Sequence, residues 1–131
     1  MKVMKHSDIT PKNLHGSNVW AYLGLAEGTV LRVTTMAPGD VREEDRIPAE
    51  HVQLVLSGDI RLTDAQMNAV LFVQYHVTHF YQLHALDAMS FQAGDARKME
   101  NIGQSEATIL IVDHGSPHDA WGPNGPEPPK H

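Results

Sequence analysis

Among the side chains of this sequence, His51 is the one best suited to move a proton near neutral pH, because imidazole titrates between the carboxylates and the amines. It opens the run His51-Val52-Gln53-Leu54-Val55-Leu56, so a strand would carry it. Two ionic residues stand apart from that run. Asp45 lies in the charged string Arg42-Glu43-Glu44-Asp45-Arg46, and Arg97 precedes Lys98. Taken alone, each reads as a solvated surface charge. A second group, His76, His79 and His84, is interleaved with Tyr75 and Tyr81, whose hydroxyls could donate protons. On one regular strand His76 and His84 share a face and His79 takes the other, so the three cannot converge. A catalytic metal needs about three His or carboxylate ligands and an open position, which these histidines alone do not supply. His114, His118 and His131 have neither zinc-finger nor metalloprotease spacing. The sequence also has no Walker loop, dinucleotide fingerprint or Gly-x-Ser-x-Gly elbow.

The elements that must position these residues read as strands. Val19 to Leu25 and Thr29 to Met36 are apolar runs broken at Glu27-Gly28, a hairpin pattern. Pro38-Gly39-Asp40 turns the chain, and Ser57-Gly58-Asp59 separates the His51 run from Ile60-Arg61-Leu62-Thr63, a second hairpin. Residues 69–84 are rich in β-branched and aromatic side chains and contain no Gly or Pro. Their greasier face, Leu71, Val73, Tyr75, Val77, His79, Tyr81 and Leu83, is expected to turn toward the core. Ala107 to Val112 is a last buried strand. We therefore expect an N-terminal arm over 1–18, a β-barrel over 19–113 and a Pro/Gly-rich tail over 114–131.

A chain of 131 residues supports one domain. Its net charge of -6 makes nucleic acid a poor partner. The absence of cysteine rules out disulfides and thiolate chemistry and fits a reducing compartment. No apolar stretch is long enough to span a bilayer, and the first residues lack the apolar run of a signal peptide. The expectation is a cytoplasmic protein without membrane association.

Two stretches carry a family resemblance. In the first, Gly39 is followed by five residues, then Asp45-Arg46-Ile47, three residues, His51, six residues and Gly58. That frame resembles the first cupin motif, Gly, five residues, His-x-His, three or four residues, Glu, six residues, Gly. In the second, Leu86, Gln92, Gly94, Arg97 and Asn101 stand at the positions of the second motif, Gly, five residues, Pro-x-Gly, two residues, His, three residues, Asn. The sequence thus resembles a small single-domain cupin over about residues 30–113. The resemblance implies an all-β jelly-roll barrel whose motif residues point inward from neighbouring strands.

It also implies a ligand set, which this chain has largely replaced. The four metal slots hold Asp45, Ile47, His51 and Arg97. Ile47 has no donor atom, and a permanently charged guanidinium repels a divalent ion nearby. Asp45 and Arg97 occupy slots that converge in the family's barrel, where they could form a bidentate pair in place of the ion. The expectation is therefore a small-molecule-binding cupin without a metal cofactor, an isomerase, cyclase or lyase of non-oxidative type. In that scheme His51 is the acid or base, Arg97 holds an anionic or enolate oxygen, Asp45 orients one of them, and His76, Tyr75 and Tyr81 contact substrate. One alternative is a metal-dependent oxygenase or lyase binding Fe, Zn or Mn through Asp45, His51 and His84. Another is a non-catalytic ligand-binding or sensing domain. A homodimer is expected, since cupins of this size commonly pair.

Overall fold

A computed structural model describes residues 1–14, 16–44, 46–64 and 79–114. Apart from a short 3-10 turn at His6–Asp8, the regular elements among them are strands. In chain order these are β1 (Lys12–Leu14), β2 (Ser17–Ala26), β3 (Thr29–Met36), β4 (Val41–Glu44) and β5 (His51–Ser57). They continue as β6 (Ile60–Asp64), β7 (His79–Leu83), β8 (Ala88–Phe91), β9 (Arg97–Asn101) and β10 (Ala107–His114).

The strands form a six-stranded sheet in the order β1-β2-β3-β10-β5-β8 and a four-stranded sheet in the order β4-β9-β6-β7, with every pairing antiparallel. Two sheets in a non-sequential strand order make the jelly roll that the sequence led us to expect. β10 alternates strictly between buried and more exposed residues, and β5 does so from His51 to Leu56, while β3 follows the same period except at half-buried Arg32. This period of two turns one set of side chains into the space between the sheets. No helix of the described residues is long and apolar enough to cross a membrane.

Register aligns the inward residues in layers. Ala107 pairs with Met36, Ile109 with Thr34 and Val55, Ile111 with Arg32 and Gln53, and Asp113 with Val30 and His51. One end of the interior is therefore apolar, with Met36, Val55, Ile60, Met99, Ala107 and Ile109 at most 1% exposed. Residues at the other end are polar: Arg32, Asp113, His51, Gln53 and Arg97. Ile47, in a former ligand slot, joins the buried apolar cluster.

The motif glycines and asparagine hold this frame. Gly58 turns β5 into β6 with φ of 99°, and a Cβ there would lie 2.6 Å from the Ala107 Cβ, a distance no side chain tolerates. The Asn101 amide donates to the carbonyls of Met36 and Ser105 and accepts from the Gly103 N–H. Reciprocal backbone bonds, Gly39 N–H to Asn101 O and Asn101 N–H to Asp40 O, tie the two motif stretches together. Leu86, standing where the second motif has glycine, keeps the left-handed backbone at φ of 74°. An L side chain there costs about 1–2 kcal/mol.

The reading of residues 69–84 is corrected in part. Residues 69–78, and with them Tyr75 and His76, lie outside the described residues. Within β7 Leu83 packs against the core, whereas Tyr81 is 49% exposed. Among the described residues β7 is the edge strand of its sheet, with no described strand on its other side.

Candidate functional site

The polar end opens into a cavity of about 490 Å³. Leu14, Val19, Val41, Pro48, Ala49 and Ile111 form apolar parts of its wall, and Arg32, Arg42, Arg97, Glu44, His51 and Asp113 are among its polar parts. Polar residues outnumber apolar ones in its lining, and a cleft of this size with convergent polar groups can hold a small molecule.

His51 begins β5 and faces inward, 6% exposed, against the Phe91 ring at a centroid distance of 5.2 Å. Its Nδ1 lies 3.0 Å from the Ala49 carbonyl oxygen. A carbonyl only accepts, so Nδ1 carries the proton and donates it there. Nε2 then accepts from the Gln53 amide nitrogen at 2.9 Å. These two contacts fix the orientation of the ring, with Nε2 as the acceptor.

Arg97 begins β9, 7% exposed, with its guanidinium carbon 5.1 Å from the centre of the same Phe91 ring. One nitrogen, Nη2, donates to Glu44 Oε1 at 2.9 Å, while Nε and Nη1 are buried without a hydrogen-bond partner. Burial pulls its pKa below the ordinary arginine value, and the Glu44 carboxylate opposes that shift. Its partner is thus the acid before the expected Asp45, which lies outside the described residues. β4 pairs with β9 so that Glu44 stands opposite Arg97.

Three further polar groups complete the site. Arg32 makes a two-pronged pair with Asp113, Nε to Oδ2 at 2.6 Å and Nη2 to Oδ1 at 3.0 Å. Arg42 donates from Nη2 to Thr34 Oγ1 at 3.0 Å and to the Thr35 carbonyl at 2.8 Å. Its pKa is lowered, first by burial and then by the charge of Arg97. The sequence reading had not singled out Arg32, Arg42, Gln53, Glu44 or Asp113. A usable signal existed in the strand period, since Arg32 alternates with Val30, Thr34 and Met36, and Asp113 with Ala107, Ile109 and Ile111. Charges on an otherwise apolar inward row mark a lined cavity.

His84 does not join His51, which corrects the alternative metal set. It stands 63% exposed, with Nδ1 2.6 Å from Asp59 Oδ1, beyond the far end of β5 from His51. Seven strand residues, roughly 3.3 Å each, separate the two ends. Among the described residues no group of three His, Asp or Glu is placed to hold a metal ion. The donor chemistry at the described motif slots is a separate observation. Ile47 is apolar, His51 is engaged at both nitrogens, and Arg97 brings a positive charge, so these residues do not fit a divalent cation there.

No protein-family model matches the sequence, and no curated protein matches it. Solved structures do match. The Drosophila melanogaster CENP-C structure bound to CAL1 is similar at a TM-score of 0.65 and 14% identity, covering 86% of this chain and 85% of that one. Bacillus subtilis oxalate decarboxylase is similar at 0.67 and 18% identity over 83% of this chain, which spans only 28% of the enzyme's length. The Schizosaccharomyces pombe Cnp3 cupin domain is similar at 0.60 and 12% identity, covering 79% of this chain and 64% of that one.

Proposed function

We propose that this chain, whose fold is that of the cupin superfamily, binds a small organic molecule in the polar end of its barrel without a metal ion. The observation that carries the reading is the 490 Å³ cavity, part apolar wall and part buried His51, Gln53 and Arg97. The fold does not choose between catalysis and binding, since the similar structures include a decarboxylase and a CENP-C domain bound to a protein.

The hydrogen-bonded placement of His51 favours a catalytic version of the proposal. Its Nε2 lone pair is held by one neutral amide, Gln53, and Arg97 lies against the same Phe91 ring. A bound molecule that displaces the Gln53 amide would receive a proton acceptor at Nε2 and a cationic donor at Arg97. This set suits proton removal next to a carbonyl, followed by isomerisation, cyclisation or elimination. Asp45, the expected orienting carboxylate, remains part of the proposal as the residue following Glu44. Tyr75 and His76 keep their proposed substrate contact on sequence grounds alone.

Thermal-shift screening of small carbonyl compounds and acids tests the reading, comparing the unmutated chain with His51→Ala and Arg97→Ala, each first shown folded by circular dichroism. Ligand stabilisation present in the unmutated chain and lost in both variants is the expected result. Responses that survive unchanged in both variants would place the ligand elsewhere.

We also propose a homodimer that meets through the outer face of the six-stranded sheet. Register places Tyr22, Leu31, Val112 and Val52 in one outward row, and Trp20, Val33, Leu110 and Leu54 in the next. An apolar sheet face of this breadth suits a self-complementary contact. Light scattering should give twice the chain mass, and Leu110→Lys should return it to one.

A further inference from the structure

We infer that the molecule held in the cavity is a small organic monocarboxylate, gripped by the unpaired donors of Arg97 with Arg42 as a second cationic pole; this rests on the small-molecule reading above. Among the described residues, the buried guanidiniums outnumber the carboxylates bonded to them. Asp113 is committed to Arg32 by both oxygens. Glu44 reaches Arg97 through a single nitrogen, leaving Nε and Nη1 buried and unpaired. Arg42 donates from Nη2 to a hydroxyl and a carbonyl, which are neutral acceptors. Other nearby acids are turned to other work, Asp40 accepting from the Ala37 N–H and Glu43 lying 3.9 Å from Lys98 on the exposed side.

An unpaired buried donor is costly, more so when charged, and an acceptor that reaches it recovers that cost. The Arg42 and Arg97 charges also repel each other, which adds to the larger effect of burial in lowering the Arg42 pKa. An anion placed between them relieves both penalties at once. The two unpaired Arg97 donors suit a single anionic group, and the apolar wall of Leu14, Val19 and Ile111 leaves room for a hydrocarbon body behind it. Carboxylate also has the planar, two-oxygen geometry that guanidinium recognises.

Glu44 then acts as an internal competitor. Its side chain is 40% exposed while Arg97 is 7% exposed, so the glutamate can swing to water when a ligand carboxylate arrives. Weakening that contact should strengthen ligand binding.

Calorimetry on the full chain provides the test, with acetate, hexanoate and benzoate set against acetamide, hexanamide and benzamide. At least one acid should bind ten-fold or more tightly than its amide, with the preference lost in Arg97→Gln and the affinity raised several-fold in Glu44→Gln. NMR of the Arg97 Nε–H in the unmutated chain should shift on addition of that acid, which keeps the test independent of how the variants fold. If amides bind as tightly as acids, the carboxylate class is wrong while the cavity reading stands. If neither series binds nor moves the Nε–H signal, both readings fall.

Discussion

The two ends of the barrel interior share strands but not chemistry. At the closed end, Met36, Val55, Ile60, Met99, Ala107 and Ile109 fill the space at 0–1% exposure. At the other end the same strands, continued by two or four residues, present Arg32, Gln53, His51, Arg97 and Asp113 around a cavity. A strand that alternates in and out can therefore change function along its length without changing its fold. Packing energy is concentrated at one end, and polar groups whose burial gains little stability are concentrated at the other.

The comparison breaks most visibly if the closed end tolerates truncation. Ile109→Ala should cost about 3 kcal/mol in urea denaturation, the lost transfer energy plus a cavity. A cost below about 1 kcal/mol would mean that the apolar layers are not the source of stability. Gly58→Ala should cost about 2 kcal/mol, because its Cβ meets Ala107 in a backbone conformation that disfavours side chains. In contrast, replacing the half-buried ion pair with Arg97→Met and Glu44→Leu together should change stability by no more than about 1 kcal/mol, in either direction, while removing the response to acids. A loss as large as that of Ile109→Ala would make the pair structural. The smallest effect belongs to Leu86, whose left-handed backbone is strained and whose side chain is 76% exposed. Leu86→Gly should gain about 0.5 kcal/mol, strain relief net of the greater freedom of glycine in the unfolded chain.

The fold was legible because residues that build its turns match the motif frame, although the motifs' ligand slots hold other residue types. Gly39, Gly58, Gly94 and Asn101 answer to backbone geometry, so they show at fixed spacing in the sequence. Alternation in β3, β5 and β10 then gives the strands and their inward rows. Leu86 shows the limit of such reading, since a left-handed turn persists there under a side chain that does not advertise it.

The site was legible by slot and not by partner. His51 and Arg97 stand at motif positions and face the interior, but neighbours across sheet register determine what each touches. Glu44 lies opposite Arg97 because of β4 and β9 pairing, and no spacing rule distinguishes it from Asp45 in a run of charges. Arg32 and Asp113 are 81 positions apart and meet only because β3 and β10 are adjacent. Tyr81 misled because an aromatic, β-branched run reads as buried even where its strand is an edge.

The central claim is that a buried guanidinium occupies the interior where related folds can hold a metal. Elemental analysis of protein purified without a histidine tag, dialysed and then exposed to excess Mn, Fe or Zn, tests it most directly. The account predicts far less than one metal ion retained per chain and unchanged thermal stability in each metal. One tightly held ion per chain, lost on His51→Ala, would contradict it.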